Sequence, residues 1–239
     1  MAGFPGMAAR YASMADKTPK IRGAEVDAFL ARLKAAPAPA ATGRGRLIFA
    51  LDATMSRQPT WDRACHIQAD MVREAEALGG LDIKLVFFRG YRECKASPWY
   101  GSSQPLTRAM TSIVCQGGYT QIERVLKRAV KEAREGRVSA LVYVGDSCEE
   151  EIDAVCAAAG ELGVLGVPAF MFQEGADPYA ETVFREVARL SAGAWCRFDT
   201  GSAAQLRDLL GAVAVFAAGG RKALADHGAR RGGAARLLI

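Results

Sequence analysis

Five oxygen-bearing side chains stand out in this 239-residue sequence. Asp52, Thr54 and Ser56 lie at alternate positions in Asp52-Ala-Thr-Met-Ser56, Thr120 follows Gly117-Gly118-Tyr119, and Asp146 follows Val144-Gly145. Two carboxylates and three hydroxyls make an all-oxygen donor set, which suits Mg2+, or Mn2+ or Ca2+, rather than zinc or copper. Mg2+ is octahedral and gives up its waters reluctantly. Five protein groups, some acting through water, therefore leave a position for an outside ligand. Two carboxylates only just neutralise a divalent ion. If one acts through water, the ion keeps positive character and attracts a carboxylate from a partner. Taken alone, Asp52, Thr54 and Ser56 are also the residue types that open helices.

Such groups need strand ends to hold them. Leu47 to Leu51 is a continuous apolar run, the pattern of a central parallel strand covered on both faces, and it stops at Asp52. Open α/β sheets place ligands at that end of a strand. Pro59 suits the first turn of a helix over Thr60–Leu78, stopped by Gly79-Gly80. Strands are predicted over Leu81–Phe88, Tyr91–Tyr100 (an edge strand), Ser139–Val144, Pro168–Phe172 and Ala194–Phe198. Helices are predicted over Leu106–Val114, Gln121–Glu135, from Ser147 to about Leu162 with Ser147 and Glu150 as a capping box, from Asp177-Pro178 to Leu190, and from Ser202 to about Ala218. Strict alternation predicts an α/β fold: a doubly wound, mostly parallel six-stranded sheet with helices on both faces.

The predicted domain covers residues 46–220. A basic N-terminal segment, 1–45, precedes it, poorly ordered except for an amphipathic helix near 24–35 (Val26, Phe29, Leu30, Leu33) that is expected to dock on the domain. A basic, solvated tail, 221–239, follows. The net charge of +5 belongs to these ends: residues 1–45 hold seven Lys/Arg against three Asp/Glu, and residues 221–239 hold five against one. The middle is mildly acidic, so no nucleic-acid-binding face is predicted. Six cysteines form no CxxC pair, and His66 and His227 are the only histidines, which argues against a Cys/His zinc site. No signal peptide or membrane-spanning run is predicted. The cysteines read as reduced and the protein as cytoplasmic.

Asp52-Ala-Thr-Met-Ser56 resembles the Asp-x-Ser-x-Ser motif of von Willebrand factor A (VWA) domains, with Thr54 in place of the first serine. Gly117-Gly118-Tyr119-Thr120 is similar to that family's second loop, and Val144-Gly-Asp146 to its third. The resemblance covers about residues 46–218. It implies a bacterial-type, Rossmann-like domain with a metal-ion-dependent adhesion site (MIDAS), its metal ligands being Asp52, Thr54, Ser56, Thr120 and Asp146. Tyr119 between the glycines and Thr120, and Ser147 after Asp146, depart from the pattern. The implied function is Mg2+-dependent binding of a cytoplasmic protein partner, which supplies a carboxylate to the metal. Tyr119, Glu149 and Trp61 are rim candidates, with Trp99 as a further one. Cys115 and Cys148 lie in the site loops and read as inert buried thiols. The alternative is a Mg2+-dependent phosphohydrolase with Asp52 as nucleophile. Thr54 stands where such enzymes carry a second acid, so no catalytic residue is assigned.

Overall fold

A computed structural model describes residues 20–38, 44–58, 80–199 and 202–230. The helix predicted over 60–78, with Trp61, Cys65 and His66, lies outside the described residues.

The sheet contains β1 (Gly45–Asp52), β2 (Leu81–Arg89), β3 (Glu93–Tyr100), β4 (Ala140–Gly145), β5 (Ala169–Glu174) and β6 (Ala194–Phe198). Their order is β3-β2-β1-β4-β5-β6. Only β3 is antiparallel, paired to β2 at the edge. Its register shifts between Lys84 and Val86, beside Ser97-Pro98, where proline has no amide to give a ladder. The helices are α1 (Lys20–Ala35), α2 (Ser103–Thr111), α3 (Ile122–Glu135), α4 (Ile152–Val164), α5 (Pro178–Leu190) and α6 (Ala203–Arg230).

The apolar run of β1 is explained by its two covered faces. Leu47, Phe49 and Leu51 pack into one core with α1, α2 and α6. Ile48 and Ala50 point the other way, into the core made with α3, α4 and α5. Side chains alternate along a strand, so a central strand needs apolar residues at every position. The run ends where the strand leaves its neighbours. Asp52 is the last paired residue, opposite Phe88 of β2.

At the ends of the chain one expectation holds and one changes. Helix α1 docks as expected, though it begins earlier, at Lys20: Phe29, Leu30 and Leu33 are buried, and the Phe29 ring lies 5.8 Å from Phe170 and 5.2 Å from Phe172. Helix α6 runs on past Gly220 to Arg230, so residues 221–230 are helical where a tail was expected. Gly220 takes φ 66°, a kink that glycine alone adopts freely, and the turn beyond it buries Leu224. Arg221 then donates to the carbonyls of Ala35 (3.2 Å) and Ala36 (3.0 Å), closing the end of α1.

Candidate functional site

Because β1, β4 and β5 are parallel, Asp52, Asp146 and Glu174 leave the sheet at the same end. The strand order reverses direction of growth at β1 and β4, which is the switch point where doubly wound sheets open a crevice. Asp52 and Asp146 flank it.

The turn after β1 is fixed from both sides. The Ala53 amide donates to the Phe88 carbonyl (2.9 Å), and the Gln116 amide donates to the Ala53 carbonyl (3.0 Å). Thr54 N donates to Asp52 Oδ1 (2.7 Å), an Asx turn that holds the carboxylate in place. Asp52 Oδ2 is buried without a hydrogen-bond partner. The Thr54 and Ser56 hydroxyls lie 3.0 Å apart. A short 3-10 turn, Met55–Arg57, follows, and it sends Met55 outward and Arg57 inward.

The second loop depends on one of its two glycines. A Cβ on Gly118 would lie 1.9 Å from the Gly90 carbonyl oxygen, whereas Gly117 faces open space. That close approach lets Tyr119 N donate to Gly90 O (3.2 Å) and sets the path into Thr120. Thr120 N donates to Glu149 Oε2 (2.8 Å), and its hydroxyl accepts from Glu149 N (2.9 Å). This reciprocal pair joins the second loop to the third. Asp146, just past β4, has a buried Oδ1 without a hydrogen-bond partner.

The expected capping box at Ser147 and Glu150 does not form. Glu150 turns away from its own helix and caps α3 instead, accepting from Ile122 N and, at 3.0 Å, from Glu123 N. The cause is spatial: the start of α3 has two amides without intrahelical partners, and they face the loop before α4. Ser147 donates to Asp177 Oδ2 (3.4 Å), and Glu151 takes the N-cap position of α4. Asp177 does cap α5 as predicted, accepting from Tyr179 N (2.8 Å) and Ala180 N (3.1 Å).

Burial dominates the electrostatics. It pushes the Asp52 carboxyl up to about 7; hydrogen bonds from Thr54 pull down, Asp146 pushes up, and Arg57 pulls down. The Tyr143 phenol, on β4, is fully buried, without a hydrogen-bond partner and within electrostatic reach of Asp52 and Asp146. Burial also pushes the Cys148 thiol up to about 11, so it is no thiolate at neutral pH. Arg57 is 2% exposed and forms an ion pair with Glu174.

The structure thus groups Asp52, Thr54 and Ser56 in one turn, ties the loop of Thr120 to that of Asp146, and sets Asp52 and Asp146 within electrostatic reach. Tyr119 is 59% exposed, its ring 5.4 Å from Tyr91, and Glu149 is exposed while bonded to Thr120. Trp99 belongs elsewhere: it pairs with Lys84 near the start of β2, at the opposite end of the sheet, between Lys84 and Arg46. Sequence reading missed Arg57, Tyr143 and Glu174, and it assigned Glu150 to the wrong helix. Arg57 alone carried a signal, as a cation directly after the hydroxyl motif.

The two orphaned carboxylate oxygens, with hydroxyls beside one of them, fit a hard divalent ion better than a closed hydrogen-bond network. Among the described residues no group of three or more His, Cys, Asp or Glu is placed to hold a metal, so an ion here would draw on hydroxyls as well.

No protein-family model and no curated protein matches this sequence. Solved structures do match. The VWA domain of SpRpn10 superimposes with a TM-score of 0.57 at 10% identity, over 70% of this chain and 94% of that one. A von Willebrand factor type A protein from Catenulispora acidiphila gives 0.53 at 15% identity, over 72% and 43%. Proximal thread matrix protein 1 from the mussel byssus, with a zinc-occupied MIDAS motif, gives 0.58 at 14% identity, over 75% and 47%. The match spans 31% of the pilus adhesin SpaC from Lactobacillus rhamnosus GG and about half of the mussel protein. At these identities it is the architecture that is shared: the chain has the fold of von Willebrand factor A domains.

Proposed function

We propose that this domain is a noncatalytic, cytoplasmic protein-interaction module. Its binding centre is a divalent cation, Mg2+ or else Mn2+ or Ca2+, held by Asp52, Thr54, Ser56, Thr120 and Asp146. The observation that carries the reading is the pair of buried, unpartnered oxygens, Asp52 Oδ2 and Asp146 Oδ1, at the switch point of the sheet. A buried carboxylate oxygen left without a donor is costly, and a cation removes that cost. The bound ion supplies a Lewis-acidic positive charge to which a partner's carboxylate is attracted. Asp52 is held by the Thr54 amide, Thr120 is held by Glu149, and Tyr119 with Glu149 forms part of the rim that a partner meets. The mussel protein of like fold supports the reading through its zinc-occupied motif.

The test is capture of a partner by the full chain with and without EDTA, beside Asp52→Ala. Partner recovery that needs the cation and Asp52 is expected. Equal recovery in all conditions removes the metal from the mechanism. Mg2+-dependent turnover of a phosphate ester, abolished by Asp52→Asn, would overturn the noncatalytic reading.

A further inference from the structure

Arg57 belongs to the site but not to the five-oxygen reading, and its position is unusual for an arginine. It is 2% exposed, and a buried guanidinium is tolerated only when anionic groups face it. It leaves the turn after β1 and reaches Glu174, the last residue of β5. In the order β1-β4-β5 that path crosses two strand spacings, about 10 Å, directly over the end of β4 from which Asp146 emerges. Burial lowers the arginine's hold on its proton, and Asp146 and then Asp52 are the foremost charges that oppose this. The guanidinium therefore pairs with one carboxylate, Glu174, and lies within electrostatic reach of two more, the three coming from adjacent strand ends.

The charges sort into two pairs. Asp52 and Asp146 together match one divalent ion. Arg57 and Glu174 cancel each other. The same guanidinium is nevertheless the positive charge within reach of both aspartates before any ion arrives. We propose that Arg57 is a built-in counter-cation that tunes the centre: it competes with the divalent ion for Asp52 and Asp146, and Glu174 opposes it by holding the guanidinium aside. The proposal rests on the metal reading above. It makes Arg57 and Glu174 positioning residues, neither of them a ligand.

The consequence is a sign that a merely structural ion pair would not give. Removing Arg57 leaves Glu174 as an additional negative charge, so the ion binds more tightly. Removing the Glu174 charge leaves Arg57 free to neutralise the aspartates, so the ion binds more weakly. Mn2+ binding to the full chain, followed by electron paramagnetic resonance, reads both. Arg57→Met is expected to tighten Mn2+ by about tenfold or more, and Glu174→Gln to weaken it by about tenfold. The double variant should return close to the wild type, and Arg57→Lys, which keeps the charge, should stay near it. Single variants that shift the same way, or not at all, overturn the proposal while leaving the metal reading intact. Failure of every chain to bind Mn2+ at millimolar concentration overturns both. Should Arg57→Met not fold, the direction of the Glu174→Gln shift decides.

A metal-free measurement decides independently whether Arg57 is the counter-ion. In EDTA at alkaline pH, Asp52→Asn should raise the melting temperature more in the Arg57→Met background than in the wild type, because only there has the carboxylate lost its cation. Equal gains in the two backgrounds overturn the role.

Discussion

At the scale of the residue, Asp52 shows how burial and function pull against each other. Its carboxyl is held up near 7, mainly by burial, against an ordinary value of 3.8. An acid whose folded value is raised destabilises the fold when ionised. The penalty is full above the folded value and is relieved as pH falls through it towards the unfolded one. In EDTA, wild type should therefore be less stable than Asp52→Asn at pH 8, on the order of a few kcal/mol. The gap should close as pH falls from about 7 to about 4. Melting curves of the two chains across that range check this, and a gap that does not vary with pH would show that Asp52 is not the titrating group. Saturating Mg2+ at pH 8 should close the same gap, because the cation then takes the charge that water cannot reach.

At the scale of the element, the loops are held by a few close contacts that the motif letters do not distinguish. Gly117 and Gly118 look equivalent in sequence, yet only Gly118 lies against the Gly90 carbonyl. Gly118→Ala should force that loop apart and lower the melting temperature, while Gly117→Ala should leave it nearly unchanged. Thermal melts of the two variants side by side give the comparison. Glu150 supports the same loop from the other side, since it caps α3. Replacing it with alanine leaves two amides at the start of that helix without acceptors and should cost about 1–2 kcal/mol, measured by urea unfolding. A neutral result would mean that water replaces the cap without loss.

At the scale of the whole molecule, α1 is part of the fold rather than an appendage. Its apolar stripe closes the β6 end of one core, and Arg221 of the kinked α6 caps its last turn. Phe29→Ala should cost about 3–5 kcal/mol by urea unfolding, the range for removing a buried aromatic ring. A loss below about 1 kcal/mol would place α1 outside the cooperative unit. Deleting residues 1–45 should for the same reason destabilise the domain, whatever it does to partner capture. Among the described residues no helix is long and apolar enough to cross a membrane.

The sequence by itself determined the sheet and the placement of its polar ends. A residue run buried on both faces must be apolar throughout, so Leu47–Leu51 and Leu141–Val144 declare central strands, and the first aspartate after each marks where the strand emerges. Capping of α5 by Asp177 was legible for a related reason: the acceptor and the amides it serves are adjacent in the chain. What tertiary structure decided were the partnerships between distant segments. Glu150 lies four residues past Asp146 and reads as a cap for its own helix, but it serves α3, twenty-eight residues upstream. Arg57 follows a polar turn and nothing adjacent in the chain announces its partner, but it is buried against Glu174 at the end of β5. Local hydrogen bonds are encoded by spacing along the chain. Buried charges choose whichever opposite charge the sheet order brings to the same edge, and that order is set by the packing of the whole domain.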